Sequence, residues 1–306
     1  MKKFKPVLKF VGVYLLIVIA LLILCIIAGV LYVVLSHTKP AELLNVIENM
    51  SDPISVMFDD IIMLAIPLAV TWKLGLLDLS TEFRNGRDTF SKMKIPILVG
   101  TLWFFADSML EDLCGIEMPE ELQKTFKELM HSPIGVFGIC IGGPILEELL
   151  MRTAILGLML RGGVKPWIAI VISALAFGLM HMNMAQFVFA GIGGLILGLV
   201  YYKTNNIFSV MIIHIIQNTF ATVMALSMEI MGYEDEQIYD TIGVPAVVVL
   251  LIVFASGSIY LLKRLCSQFP QPQFVENVEA DEQVMEECEM IFSFLSSLSL
   301  EWHNLC

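Results

Sequence analysis

Two adjacent carboxylates, Glu147 and Glu148, and the guanidinium of Arg152 interrupt an otherwise apolar run, GGPILEELLMR at 142–152. Two later apolar segments each hold one histidine in their interior: His181 closes FGLMH at 177–181, and His214 opens HIIQN at 214–218. Ionisable groups at membrane depth are unfavourable unless they are paired or face a protein-lined cavity, so these three insertions are functional candidates by default. Successive residues of a helix advance by about 100°. Glu148 and Arg152, four apart, therefore share a face and can neutralise each other. Glu147 points elsewhere with no counter-charge of its own, which suits it to general-base work. His214 and Asn218 also share a face and can present two polar groups to one oxygen. Phe177 and His181 stack on one face in the same way. Taken singly, a buried histidine reads as a helix-packing hydrogen bond and Glu148 with Arg152 as a structural ion pair. The coincidence outweighs that reading, because the two histidines deep in apolar segments, of five in the chain, both follow the Glu-Glu segment. Gly142, Gly143 and Pro144 can open the backbone ladder just before Glu147, which a membrane tolerates only where water or protein satisfies the freed carbonyls. A wet cavity at Glu147 is expected.

The elements that must position these groups are membrane helices. With 57% hydrophobic residues, a mean hydropathy of +0.80 and several apolar runs near bilayer length, the chain is expected to be an all-α polytopic transmembrane bundle of about eight spans. A soluble core is excluded, and nothing points to nucleic acid. The net charge of -12 is uneven: eight acidic residues lie beyond Arg264, where there is no Lys or Arg, which leaves 18 basic against 22 acidic residues before it. Six cysteines show no ligand spacing and read as inert thiols.

Four regions follow. Residues 1–131 hold three spans (10–36, 54–77 and 95–110) and an acidic external segment at 111–131 read as an exposed surface helix. Asp59, Asp60 and Asp107 lie near span ends and read as interfacial. Residues 132–228 form the core, with apolar segments at 134–160, 167–182, 187–202 and 207–226 joined by short connections. Gly191, Gly194 and Gly198 would let helices approach closely. Residues 229–264 are an acidic loop and the last span, and 265–306 an acidic tail suited to a cytoplasmic partner. Lys2, Lys3, Lys5 and Lys9 before the first span, and Arg84, Arg87, Lys92 and Lys94 after the second, place both termini in the cytoplasm by the positive-inside rule. The first apolar stretch is too long for a cleaved leader and reads as a permanent span. The overall pattern fits a multi-pass protein of a cell membrane, such as a bacterial plasma membrane.

EELLMR, FGLMH and HIIQN, in this order and each on its own apolar segment, resemble the motifs E-E-x-x-x-R, F-x-x-x-H and H-x-x-x-N/D of the CAAX-protease and bacteriocin-processing family, also called abortive-infection proteins. The resemblance covers about 133–226. It implies an intramembrane endopeptidase in which Glu147 and His181 activate the attacking water, His214 and Asn218 stabilise the oxyanion, and Glu148, Arg152 and Phe177 support the site. Peptide hydrolysis needs a base, an acid for the leaving amine and donors at the tetrahedral oxygen, and these residues can supply all three. The substrate would be a hydrophobic peptide or a membrane-anchored protein, with bacteriocin maturation or self-immunity as the setting.

The preferred chemistry uses no cofactor. Glu147, His181 and His214 are also a possible zinc set with water in the fourth position, although no H-E-x-x-H occurs. A catalytically idle immunity or binding protein and a proton-coupled transporter are the alternatives outside hydrolysis. Counting along the helices leaves one difficulty: His181 lies about 21 Å beyond Trp167, whereas His214 lies about 12 Å past Asn206. A shared site then requires tilt, a deeper start or a broken helix.

Overall fold

A computed structural model describes residues 2–36, 61–88, 92–232 and 242–269, and every regular element among them is helical. The helices are α1 (Lys5–Ser36), α2 (Ile66–Lys73, preceded by a π turn at Ile61–Ala65), α3 (Leu79–Asp88), α4 (Lys94–Cys114), α5 (Glu120–Met130), α6 (Pro133–Arg161), α7 (Pro166–Met180), α8 (Met184–Thr204), α9 (Ile207–Met231) and α10 (Val244–Gln268). The expected all-α membrane bundle is what is found. Helices α1, α6, α8, α9 and α10 are long and apolar enough to cross a bilayer, and α7 is a shorter apolar helix. The remaining expected spans fall on α2, described from Ile61 onward, and on α4, whose 21 residues suffice in length but include Asp107, Glu111 and Asp112. Asp59, Asp60 and the acidic tail beyond Phe269 lie outside the described residues.

Polar caps set the ends of the core helices. Ser132 accepts from the Gly135 amide ahead of α6, Asn183 from the Gln186 amide ahead of α8, and Asn206 from the Ser209 amide ahead of α9. Each satisfies one of the amides that a helix start leaves without a partner. Asn205, in the left-handed conformation at φ 46°, turns the chain between α8 and α9.

Helices α7 and α8 run antiparallel in close contact. A Cβ on Gly178 would collide with the Phe187 carbonyl, and one on Gly194 would come within 3.2 Å of the Phe177 ring. Small residues let the two backbones approach. This close packing holds Phe177 against the centre of the bundle, where it is buried. Helix α4 sits between α9 and α10: Ser258 donates to the Val99 carbonyl, and Phe105 packs against both Phe220 and Phe254. Helix α1 behaves as two halves. Val7, Phe10, Tyr14 and Val18 are buried against the bundle, whereas Ile19, Leu22, Ile23, Leu24, Ile26, Ile27, Val30, Leu31, Val34 and Leu35 are exposed, as on a helix facing lipid.

Two surface segments differ from the sequence reading. The basic loop after the second span contains α3, which buries Glu82 in the bundle. The segment read as an exposed surface helix contains α5, but only its charged side faces out. Leu122, Phe126, Leu129 and Met130 turn inward and wall a cavity. Their i, i+4, i+7, i+8 spacing is that of an apolar stripe.

Candidate active site

The cavity, about 520 Å³, opens among α4, α5, α6, α7, α8 and α9, and Glu147, Phe177, His181, His214 and Asn218 all line it. The sequence motifs therefore meet at one place. The expected opening of the backbone before Glu147 is present as a π-helical stretch at Gly138–Gly142. There the Ile139 carbonyl, freed from the regular ladder, accepts a hydrogen bond from Asn218 Nδ2 at 2.9 Å. The other amide hydrogen of Asn218 remains for the cavity.

Glu148 and Arg152 are wholly buried, with Arg152 Nε 3.0 Å from Glu148 Oε2. Arg152 also donates to Ser173 Oγ at 3.4 Å, and its guanidinium lies 5.0 Å over the Phe177 ring. The second oxygen of Glu148 has a partner that the sequence reading did not assign: His214 Nδ1, at 3.0 Å. With Glu148 ionised, Nδ1–H donates to it, so the ring is fixed and Nε2 is turned toward Glu147. Glu147 Oε2 lies 3.8 Å from that Nε2, longer than a hydrogen bond, so neither group is committed to the other. Glu147 is the more exposed carboxylate of the two, with 19% of its side chain accessible against none for Glu148.

His181 is the residue just past the end of α7. Its Nδ1–H donates to the Phe177 carbonyl at 2.8 Å, which folds the imidazole back along the helix. Helix α7 has 15 residues and is about 22 Å long, short of the ~30 Å apolar thickness of a bilayer. Despite the depth mismatch expected from residue counting, His181 and His214 line the same cavity. The Phe177 ring stands edge-on to both, 5.1 Å from His181 and 5.7 Å from His214.

The zinc set fits this arrangement poorly. Among the described residues no three His, Cys, Asp or Glu side chains converge as metal ligands. Phe177 stands edge-on to both imidazoles.

Asp107, read from the sequence as interfacial, instead lines the cavity, as does Glu111 one turn further along α4. The i, i+4 spacing of Asp107 and Glu111 on a span opposite the core was the available signal. Gln217, which donates to the Gly100 carbonyl at 3.4 Å, also faces the cavity and carried no signal in sequence.

Residues 130–220 match the family described as Type II CAAX prenyl endopeptidase Rce1-like. A Bacillus subtilis (strain 168) protein named "Putative membrane peptidase YdiL" is 26% identical over 118 residues, 39% of this chain and 48% of the relative. The chain thus spans about half the length of that curated relative. No solved structure matches. Every residue of the constellation around the cavity from Glu147 to Asn218 falls inside the matched region.

Proposed function

Taking the Rce1-like CAAX endopeptidase match of residues 130–220 as premise, we propose that this multi-pass membrane protein is an intramembrane endopeptidase working through a water activated by Glu147 and His181. One observation carries the reading. Glu147, a carboxylate with no committed partner, shares a walled cavity with His181, His214 and Asn218.

Water in the cavity gives a proton to Glu147, and the hydroxide attacks the scissile carbonyl carbon. The carbonyl oxygen becomes an oxyanion against His214 Nε2–H and the uncommitted N–H of Asn218. Because Glu148 holds Nδ1–H, Nε2 donates only in the doubly protonated ring. In the proposal His214 is therefore taken in its doubly protonated form. Collapse of the intermediate breaks the C–N bond, and the proton held by Glu147 passes to the leaving amine, with His181 as the second proton-handling group. Glu148 and Arg152 position His214 rather than touch substrate.

Metal-free chemistry is part of the proposal, and chelation tests it: cleavage should be undiminished and the purified protein should carry no zinc, whereas loss of cleavage restored by zinc overturns it. The client is a hydrophobic peptide or a membrane-anchored protein in a bacterial plasma membrane, as in bacteriocin maturation or self-immunity. Both termini are placed in the cytoplasm, with the acidic tail available to a partner there. The test is mass spectrometry of membranes from cells carrying wild type, Glu147→Ala or His181→Ala. A peptide whose processing disappears in both variants, while both remain folded and inserted, is the expected result. Wild-type-like processing in either variant overturns the assignment.

A further inference from the structure

Among the described residues that line the cavity are the side-chain amides of Gln186, Gln217 and Asn218, and the mechanism uses only the last. The hydrogen bonds around the other two fix which end of each amide is taken. Asn183 Oδ1 accepts from the Gln186 backbone amide at 3.0 Å, so Nδ2 is the donor of the Asn183 side chain. That Nδ2 gives one bond to the His181 carbonyl at 2.9 Å and one to Gln186 Oε1 at 2.6 Å. The oxygen of Gln186 is thereby engaged, and its Nε2 keeps two hydrogens with no acceptor among the described residues. Gln217 is held the opposite way round. Its Nε2 donates to the Gly100 carbonyl at 3.4 Å, which leaves Oε1 as an acceptor with no donor among the described residues.

Neither of these atoms is sealed. Both residues are partly exposed, and neither Gln186 Nε2 nor Gln217 Oε1 belongs to the buried polar atoms that lack a partner, so each can be reached from the cavity. Each also adjoins a group of the proposed chemistry. The Asn183 amide that holds Gln186 holds the His181 carbonyl as well, and Gln217 is the chain neighbour of Asn218.

The rest of the lining indicates what such a pair meets. Its carboxylates are Asp107, Glu111 and Glu147, no Lys or Arg is among the described lining residues, and side chains such as Phe104, Phe126 and Phe189 make much of the wall apolar. An anionic group of a ligand is disfavoured there. A peptide group is neutral and carries one acceptor and one donor, and taking it out of water without partners is unfavourable. A helical substrate satisfies these groups internally, whereas a strand that presents a scissile carbonyl does not. One free N–H donor and one free carbonyl acceptor on the walls match the two unsatisfied groups of an extended main chain.

We propose that Gln186 and Gln217 are substrate-binding residues that clamp the main chain of an extended apolar peptide, Gln186 Nε2–H donating to a backbone carbonyl on the His181 side and Gln217 Oε1 accepting a backbone N–H beside Asn218. Main-chain bonds then give the affinity, and the side chains need only be apolar. This rests on the hydrolase reading for its cleaved bond, while the clamp itself is testable by binding.

The probe is the best-cleaved member of a quenched fluorogenic peptide library randomised among alanine, valine, leucine and phenylalanine, or the best-bound member if none is cleaved. It is remade as a series in which one peptide group at a time becomes a trans-alkene, which keeps the extended shape and removes the carbonyl and the N–H. Full-length protein in phospholipid nanodiscs is compared as wild type, Gln186→Met, Gln217→Met and Glu147→Gln. Each methionine variant should raise KM for the parent peptide about three- to tenfold, the effect of one neutral hydrogen bond, with kcat little changed. The alkene series separates a lost contact from a disturbed fold. An alkene that weakens wild type at one position should have no further effect in Gln186→Met, and one at a different position none in Gln217→Met, because the partner is already gone. Alkene and methionine losses that multiply at every position, or an unchanged KM in either variant, overturn the inference. Glu147→Gln should bind the parent peptide as wild type does without cleaving it. Cleavage by Glu147→Gln removes the proposed mechanism and leaves the clamp to be decided by the alkene series. If wild type cleaves no member, fluorescence polarisation of the same sequences carrying the dye alone decides. Position-specific loss of the alkene effect then supports the clamp and removes proteolysis, and alkene effects equal in all variants overturn both.

Discussion

Two buried glutamates in this molecule, each paired with an arginine, have opposite roles, and their remaining bonds explain why. Glu82 of α3 is 1% exposed, and both of its oxygens are engaged, Oε1 by Arg161 at 2.6 Å and Oε2 by the Tyr201 hydroxyl at 2.7 Å. Arg161 gives its other nitrogen to the Thr153 carbonyl. Nothing in this cluster faces the cavity, and it serves to dock α3 on the ends of α6 and α8. Glu148 is equally buried, but only one oxygen meets Arg152, and the other holds His214, whose far nitrogen looks toward Glu147 and the cavity. A saturated pair fixes structure, whereas a pair that passes one bond to an imidazole fixes the orientation of a reactive group. The same two residue types thus build a staple in one place and a support for chemistry in the other.

That contrast can be broken from either side. The largest effect belongs to Arg152→Leu, which takes the arginine from the fully buried carboxylate of Glu148 and leaves it held by His214. Removing one partner of a buried pair typically destabilises by about 3–5 kcal/mol. Denaturant unfolding in detergent should show a loss of that size together with absent cleavage. Asn218→Ala comes next. It should lower kcat by about 10²- to 10³-fold, equivalent to ~2.7–4 kcal/mol, with little change in KM and a folded protein. An equal rise in KM would instead make Asn218 a substrate-binding group.

On the staple, Glu82→Gln leaves Arg161 without its carboxylate and should lower stability by about 1–3 kcal/mol while the catalytic rate per folded molecule is retained. A rate loss as large as that of Asn218→Ala would erase the distinction between the clusters. The smallest effect is at Asp78, the exposed residue that caps α3. Its carboxyl is held down to about 2, from an ordinary 3.8, by hydrogen bonds from Thr81 and Ser80. A depressed carboxyl contributes stability above its ordinary value and loses it as pH falls through its folded value. The protection factors of amides in α3, corrected for the intrinsic pH dependence of exchange, should therefore fall between about pH 4 and pH 2 and hold steady just above that window. Asp78→Ala should remove the pH step and about 1 kcal/mol of cap stability.

Much of this site was legible in the chain because its parts are local. Glu148 with Arg152, Phe177 with His181 and His214 with Asn218 are each four residues apart, and the pitch of a helix is enough to stack them. The Gly142, Gly143 and Pro144 signal for an opened backbone was equally local, and the π turn at Gly138–Gly142 lies just ahead of it. Asp107 was misplaced for the opposite reason. Position near the end of an apolar run says how far a residue lies along a helix but not what faces it, and α5 closes over that end of the cavity. His181 raised a depth conflict because counting gives a residue's level along its own helix but not how separate helices start and tilt against each other, and the packed bundle brings His181 and His214 to one cavity.

From sequence alone came the membrane class, the order of the apolar segments and which residue types had to be reconciled with lipid, since each follows from hydropathy and helical pitch. Tertiary packing decided that Glu148 serves His214, 66 residues away, that Glu147 is left without a committed partner, and that Phe177 stands against both imidazoles. Those relations depend on the distance and rotation between separate helices, set by contacts such as Gly194 against Phe177, and no periodicity within one helix encodes them.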